Sequence, residues 1–371
     1  MGERNAILTD ESFMRRALQL ARKGEGRVSP NPLVGALIVQ NGQIIAEGYH
    51  RRYGENHAEI NAIESATEAV VGATFYITLE PCSHSGKTPP CVDALIACRP
   101  ARVVVGTIDP NPLVSGKGIA ALRNHGIETT TGVLEEACRR QNEIFFKYIR
   151  TGIPFVTLKF AQTLDGRIAT ATGHSRWISS PASLRFAHRL RNVHDAILVG
   201  AQTVRKDDPA LTCRLVRGRN PLRIVVDSHL QTSPDARIFT DCAHTRTIIA
   251  TTHGAAEERR RLFTEKGIET VCLGADRAGH VDLRELLSTL GKREISSLLV
   301  EGGAAVITSF LKENLADRLI VILAPRIVGE GINSVGDLGI RQMDDALRLS
   351  FRRIMRRGDD LILDVGFTPE R

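Results

Sequence analysis

The chain has 371 residues, 42% hydrophobic and 25% charged, too long for one ordinary domain and balanced like a folded globular protein, which excludes extended disorder. Its net charge of +7 comes from Lys and Arg spread along the chain without a polybasic arm, which suits small phosphorylated ligands as readily as nucleic acid. Seven scattered cysteines argue against a disulfide framework, the polar start (Glu3, Arg4, Asp10) against a secretory leader, and the lack of any apolar run of about 18 residues against a membrane span, so a cytoplasmic location is expected.

Apolar residues at helical spacing predict a helix over Asp10–Ala21, with Thr9 or Asp10 as N-cap and Gly24 and Gly26 ending it. Leu33–Val39 and Gln43–Tyr49 read as strands joined by an Asn41-Gly42 hairpin turn. A helix over His57–Ala69, a strand over Ala73–Leu79, a helix from Cys91 to Cys98 and a strand over Arg102–Thr107 follow. Helices over Gly118–Asn124 and Leu134–Ile149 complete a first α/β alternation. A domain boundary is expected near Arg150-Thr151-Gly152, dividing the chain into residues 1–150 and 151–371, with Pro154 opening a strand over Phe155–Phe160. Further strands are predicted at Ala196–Val199, Leu222–Val226, Thr247–Ala250 and Leu298–Val300. Helices are predicted at Ser183–Leu190, Ala255–Glu265, Leu283–Leu290 and Ala305–Lys312, and closing β structure at Leu347–Arg352 and Leu361–Val365. No internal repeat is present.

The chemistry of the first half lies in His57-Ala58-Glu59, Pro81-Cys82 and Cys91. One His and two Cys supply three ligands for zinc and leave the fourth tetrahedral position to water, whose pKa such a site brings towards neutrality. Glu59, two residues from His57, can stand beside the metal without ligating it and carry a proton from water to a leaving amine. H-x-E followed by P-C is the zinc deaminase signature. The usual second element is P-C-x-x-C; here eight residues separate Cys82 from Cys91. His84 is read as a loop residue, because a fourth protein ligand would close the site. Cys98, Cys138, Cys213, Cys242 and Cys272 lack ligand spacing and are expected to be buried or incidental thiols. Lys87, Thr88 and Lys117 lie in glycine-containing loops suited to a substrate phosphate.

The long cysteine loop, Pro81-Cys82-Ser83-His84-Ser85-Gly86-Lys87-Thr88-Pro89-Pro90-Cys91, closely resembles the deaminase half of the bifunctional riboflavin biosynthesis family. Asn31-Pro32-Leu33-Val34-Gly35, Gly48-Tyr49-His50, and Asp109-Pro110-Asn111-Pro112 leading into Gly116-Lys117-Gly118 are similar to it as well. The resemblance implies an N-terminal cytidine-deaminase-like α/β/α domain that hydrolytically deaminates 2,5-diamino-6-(5-phosphoribosylamino)pyrimidin-4(3H)-one, with one zinc ion, and with Asn31 and His50 facing the substrate.

No G-x-G-x-x-G follows a strand in the second half. Glu301-Gly302-Gly303-Ala304-Ala305, between an apolar strand and a helix, is a place where backbone can approach a phosphate. Leu158-Lys159-Phe160-Ala161, Leu164-Asp165-Gly166-Arg167-Ile168-Ala169 and Ser175-Arg176-Trp177-Ile178-Ser179 resemble the reductase half of the same family. Gly200-Ala201-Gln202-Thr203-Val204 and Asp207-Asp208-Pro209-Ala210-Leu211-Thr212 continue the likeness. The resemblance implies a dihydrofolate-reductase-like α/β domain that uses NADPH to reduce the opened ribosyl group to ribityl. Ala161, Trp177, Thr203, Asp207, Ser228 and the segment Gly303, Ala304, Ala305, Val306, Ile307, Thr308 and Ser309 are then expected at NADPH. Ser175, Arg191, Leu211, Arg214 and Glu301 are expected at substrate, with Lys159 as proton donor or orienting cation.

Two other readings carry less. A nucleic-acid deaminase would stack an extruded base on aromatics, of which this chain has 5%, and would not need the reductase motifs. A binding protein on an inactive deaminase fold would have no use for Glu59 beside a complete ligand set. Neither nucleic acid nor membrane is expected as a partner, and a homo-oligomer is, because α/β sheets leave edges to cover.

Overall fold

The protein is described by a computed structural model covering residues 9–84, 89–112, 114–242 and 245–367. The chain divides into two compact units, Met1–Gly152 and Ile153–Arg371. No helix among the described residues is long and apolar enough to cross a membrane.

The first unit runs α1 (Asp10–Ala21), β1 (Gly35–Gln40), β2 (Gln43–Tyr49), α2 (Ala58–Ser65), β3 (Thr74–Ile77), α3 (Cys91–Cys98), β4 (Arg102–Val105), α4 (Lys117–Asn124), β5 (Glu128–Thr131), α5 (Glu135–Gln141) and α6 (Glu143–Thr151). Thr9 caps α1, accepting from the Ser12 N–H through its side chain. Asn41 and Gly42 take φ of 51° and 76°, the conformation a tight hairpin needs. The strands form one sheet in the order β2-β1-β3-β4-β5, antiparallel up to β3 and parallel beyond it. Alternate residues feed opposite faces. Ala36, Ile38, Phe75 and Val103 pack against α2, α3 and α4, whereas Leu37, Val39, Tyr76 and Val104 pack against α1 and Cys138. Each such fully buried large aliphatic or Phe side chain contributes about 1.5–3 kcal/mol. Helix α2 lies directly on β2: a Cβ at Gly48 would fall 2.2 Å from the Ala58 carbonyl oxygen and 2.3 Å from the Ala62 nitrogen.

Three expectations need correction here. Helix α2 stops at Ser65 rather than Ala69. The helix expected over Leu134–Ile149 is two helices, broken at Asn142, whose φ is −107°. Asn142 leaves helical geometry because its side chain serves Leu33, accepting from the Leu33 N–H at 2.7 Å and donating to the Leu33 carbonyl at 2.9 Å. Strand β5, Glu-Thr-Thr-Thr at the sheet edge, was not expected.

The second unit runs β6 (Phe155–Thr163), β7 (Arg167–Thr170), α7 (Pro181–Val193), β8 (Ala196–Gly200), α8 (Ala201–Asp207), β9 (Leu222–Val226), α9 (Arg237–Thr240), β10 (Thr247–Thr252), α10 (Glu257–Glu265), β11 (Glu269–Leu273), α11 (Leu283–Lys292), β12 (Ser297–Val300), α12 (Ala304–Lys312), β13 (Arg318–Ala324), β14 (Gly331–Asn333), β15 (Leu349–Arg357) and β16 (Asp360–Phe367). Nine strands form one sheet in the order β11-β10-β9-β8-β12-β6-β13-β16-β15, parallel as far as β13 and antiparallel beyond it. Both faces are covered: Leu158, Leu198 and Val300 meet α11 and α12, and Ile197, Val225 and Ile320 join the opposite cluster with Leu190, Val204 and Phe263. The connection after β8 leads through α8 to β9 on one side, and that after β12 leads through α12 to β13 on the other. The crevice at the carboxyl ends of β8 and β12 is therefore a topological switch point, where open α/β sheets bind ligands.

Candidate active sites

In the first unit, strand β2 ends at Tyr49 and a loop leads to His57, the N-cap of α2. Asn61 fixes that loop by donating to the carbonyls of Tyr49 and Asn56 at 2.9 and 3.0 Å. Cys91 opens α3, and its backbone N–H points at the Cys82 sulfur at 3.3 Å. These elements bring His57, Cys82 and Cys91 together with all donor atoms within 4.8 Å of one another. His57 Nδ1 lies 3.6 Å from the Cys82 sulfur and 3.3 Å from the Cys91 sulfur. Bond lengths near 2.3 Å to sulfur and 2.0 Å to nitrogen make a tetrahedral N–S edge about 3.6 Å, so the three donors fit one zinc ion. The Cys91 thiol and His57 push the Cys82 pKa well below the thiol range, readying it as a ligand. Among the described residues this is the one cluster of its kind.

Glu59 is 3% exposed, and its Oε2 has no hydrogen-bonding partner among the described residues. Burial, reinforced by the nearby Cys82 charge, raises its pKa to about 7. His50 Nδ1 contacts the Asn56 carbonyl at 3.1 Å, which can only accept, so that nitrogen carries the proton and Nε2 faces the Asn31 amide at 3.2 Å. Burial lowers the His50 pKa against the opposing pull of the Asn56 carbonyl, which favours the neutral ring. A cavity of about 280 Å³ contains Asn31, His50, His57, Glu59, Cys82 and His84 in its wall. Lys117 is exposed at the start of α4 and is not part of that wall. Lys87 and Thr88 lie outside the described residues. Glu80, Asp109, Asn111 and Tyr148 line the cavity too and were not singled out as site residues. Asp109 and Asn111 stand in a quoted motif, which was the available signal. Tyr148 reaches the wall from α6, at the far end of the unit's chain from the ligands, and no local pattern marks it.

In the second unit Arg191, Lys159 and Glu301, and separately Thr203 and Gly303, come together at the switch point. Glu301 follows β12, and its N–H donates to the Leu198 carbonyl of β8 at 3.0 Å. Its carboxylate accepts two hydrogen bonds from Arg191 of α7, at 3.0 and 2.8 Å, and lies 3.7 Å from Lys159 Nζ of β6. Burial drives the Glu301 pKa up, but Arg191 and Lys159 together overcome it and hold the carboxyl at about 2. Arg191 also donates to the Thr212 carbonyl, tying the segment that bears Leu211 and Arg214 to the same place. The Gly303 N–H donates to Thr203 Oγ1 at 3.3 Å, joining the starts of α8 and α12 across the crevice. Arg176 donates to the Asp207 carbonyl, which brings the Ser175–Trp177 segment beside α8. Trp177 is 61% exposed. Ser228 follows β9 and accepts from the Val281 N–H. Leu211 and Ile307 have their side chains in the core, which leaves only their backbone for a ligand. The remaining NADPH candidates are Ala161 on β6 and Ala304 to Ser309 on the first turns of α12. His188 was missed: it is buried three residues before Arg191 on α7, the same helix face, and burial followed by the Arg191 and Arg214 charges lowers its pKa to about 4.

Fold and site define a two-part enzyme, a deaminase with a His/Cys/Cys metal centre followed by a reductase on a mostly parallel sheet. Residues 8–107 match the family model for the cytidine and deoxycytidylate deaminase zinc-binding region, and residues 154–363 match that for the RibD C-terminal domain. The chain is 46% identical to the riboflavin biosynthesis protein RibD of Aquifex aeolicus, over 95% of this chain and 97% of that one. Against RibD of Escherichia coli the identity is 40%, over 96% and 99%. A crystal structure from Thermotoga maritima, described as a diaminohydroxyphosphoribosylaminopyrimidine deaminase/5-amino-6-(5-phosphoribosylamino)uracil reductase, superposes with a TM-score of 0.85 at 40% identity, over 97% of this chain and 99% of that one. The chain belongs to the RibD family of bifunctional riboflavin biosynthesis enzymes.

Proposed function

We propose that the first unit converts 2,5-diamino-6-(5-phosphoribosylamino)pyrimidin-4(3H)-one and water to 5-amino-6-(5-phosphoribosylamino)uracil and ammonia, and that the second reduces the ribosyl group of that product to ribityl with NADPH. The observation that carries the reading is the His57–Cys82–Cys91 cluster with the buried carboxyl of Glu59 beside it. Zinc held by those three side chains would supply Lewis-acid activation of water near neutral pH. Glu59 takes the proton from the attacking water and delivers it to the departing amine; a carboxyl near pH 7 can do both. Asn31 and the neutral His50 orient the pyrimidine ring from the cavity wall. Lys87, Thr88 and Lys117 are the candidates for its phosphate.

In the second unit NADPH would supply hydride to the opened, Schiff-base form of the ribosyl group. Thr203, Gly303 and the first turn of α12 would receive the cofactor phosphates, with Ala161, Trp177, Asp207 and Ser228 along the same crevice. Arg191, Arg214 and Ser175 would hold substrate, Arg191 kept in place by Glu301. Lys159, set by the same carboxylate, would donate the proton or orient the ring. We assign residues 1–150 and 151–371 to the two activities, in a cytoplasmic homo-oligomer that uses neither nucleic acid nor membrane.

The test is a coupled assay on the phosphoribosylamino-pyrimidine. Ammonia release and then substrate-dependent loss of NADPH absorbance are expected. The Glu59→Gln variant is expected to stop the first and spare the second when preformed deaminated substrate is given. Equal loss of both in a folded protein would refute independent sites.

A further inference from the structure

Glu80 is a buried carboxylate that the deamination chemistry does not use. It stands between β3 and Pro81-Cys82, and is 3% exposed. Its Oε2 accepts from the backbone N–H groups of Asp109 at 3.2 Å and Gly116 at 3.0 Å. Its Oε1 accepts from those of Gly118 at 3.0 Å and Ile119 at 3.3 Å. One side chain thus ties down both ends of the segment between β4 and α4.

That segment carries Asp109, Asn111 and Val114 into the wall of the cavity shared with His57 and Glu59. Asp109 is fixed further by accepting from the Asn111 N–H at 2.8 Å. The backbone is shaped for the contact. Gly116 takes a φ of +76°, and a Cβ at Gly118 would fall 2.2 Å from the Pro81 carbonyl oxygen and 3.3 Å from Glu80 Cγ. His57, Glu59 and Cys91 sit on other parts of the chain, and only Cys82, two residues after Glu80, shares a segment with the anchor of the wall.

Resting on the deaminase reading above, we infer that Glu80 is a positioning residue for substrate binding: it holds the backbone at Asp109 and at Gly116 to Ile119 so that Asp109 and Asn111 meet the pyrimidine in place. A loop already ordered loses no conformational freedom when substrate arrives. Releasing it therefore weakens binding and leaves the reacting groups unchanged.

Glu80→Gln keeps the size but replaces one accepting oxygen by an NH2 group that can only donate, so two of the four N–H groups lose their acceptor. The Glu80→Gln variant and, separately, a Glu80→Asp variant that keeps the charge but draws both accepting oxygens back by one methylene should be compared with the parent chain. Zinc content, amide hydrogen exchange over 109–119, and kcat and KM for ammonia release are the readouts, with the reductase rate on preformed deaminated substrate as a folding control. Faster exchange confined to the segment, a KM raised about tenfold or more and a kcat within about threefold, at full zinc content, are expected. An unchanged KM despite faster exchange would make Glu80 a fold element only and overturn the inference, as would unchanged exchange or a kcat that falls in step with zinc. Absence of ammonia release from the unsubstituted, zinc-replete chain would refute the underlying deaminase reading instead, and is seen before any substitution is made.

Discussion

Removing the carboxylate at Glu301 should destabilise the second unit more than ordinary point substitutions do. Glu301, Arg191 and Lys159 are 9%, 12% and 13% exposed, so the charges have little water to fall back on. At charge centres about 4 Å apart and an effective dielectric near 20, one such pair is worth about 4 kcal/mol before desolvation is counted. Truncating one partner of a buried pair leaves the other charge uncompensated, at a cost of about 3–5 kcal/mol. For a domain of roughly 200 residues that lowers Tm by about 6–20 °C. Glu301→Gln, Arg191→Met and the double variant should be melted side by side. We expect the double variant to be less destabilised than the sum of the singles by about 2–3 kcal/mol, because it leaves no stranded charge at this pair. Singles that each cost under about 1 kcal/mol, or costs that simply add, would refute the argument that the guanidinium and carboxylate depend on each other.

Stripping the metal with a chelator should abolish ammonia release, spare NADPH oxidation with deaminated substrate, and be reversed by zinc; loss of both activities would place the metal elsewhere. Titrating NADPH should quench fluorescence saturably, since Trp177 is the single tryptophan and lies exposed beside Asp207's helix; an unchanged spectrum under saturating NADPH would remove Trp177 from the cofactor site. His194 is 1% exposed, with Nδ1 on the Leu190 carbonyl and Nε2 at Thr157 Oγ1, and burial lowers its pKa from 6.5 to about 4. The unfolded chain therefore binds the proton first, and stability is full above pH 6.5 and falls as the pH drops towards 4, by about 3 kcal/mol for this group. Denaturant melts of His194→Asn should show a shallower slope over that window, and an identical slope would mean the ring does not titrate as described.

Much of the fold was legible because its signals are local. Helix α1 shows its cap and its 3.6-residue period in twelve consecutive positions, and Asn41-Gly42 announces its turn by itself. The break at Asn142 was not legible, because what holds that residue out of helical geometry is Leu33, more than a hundred positions away. Strand β13 lies inside the sheet and was overlooked, although Leu-Ile-Val-Ile-Leu is an unbroken apolar run of the kind that was read as a strand at Ala196–Val199. At the site, the grouping of His57, Cys82 and Cys91 could be anticipated from residue type and the H-x-E and P-C motifs although the spacing to Cys91 is unusual, and Glu59 from its place in the first motif. Glu80 could not, since its four partners are backbone amides that carry no side-chain signature. His188 had a weak signal, three positions ahead of Arg191 on a predicted helix, which becomes meaningful only once Glu301 is known to face it.

The contact between α2 and β2 through Gly48 means that the depth of Glu59 above the sheet is gauged by a missing side chain. Even a methyl group there would act as a shim, lifting the helix that starts at Ala58 and tilting its carboxylate away from His57. Since displacement of a reacting group by about 1 Å can cost about a hundredfold in rate, a side chain at position 48 would act on the proposed role of Glu59 without contributing an atom to it. The tolerance of the first unit to change is thus set as tightly behind α2 as in front of it, at a residue that does not line the cavity.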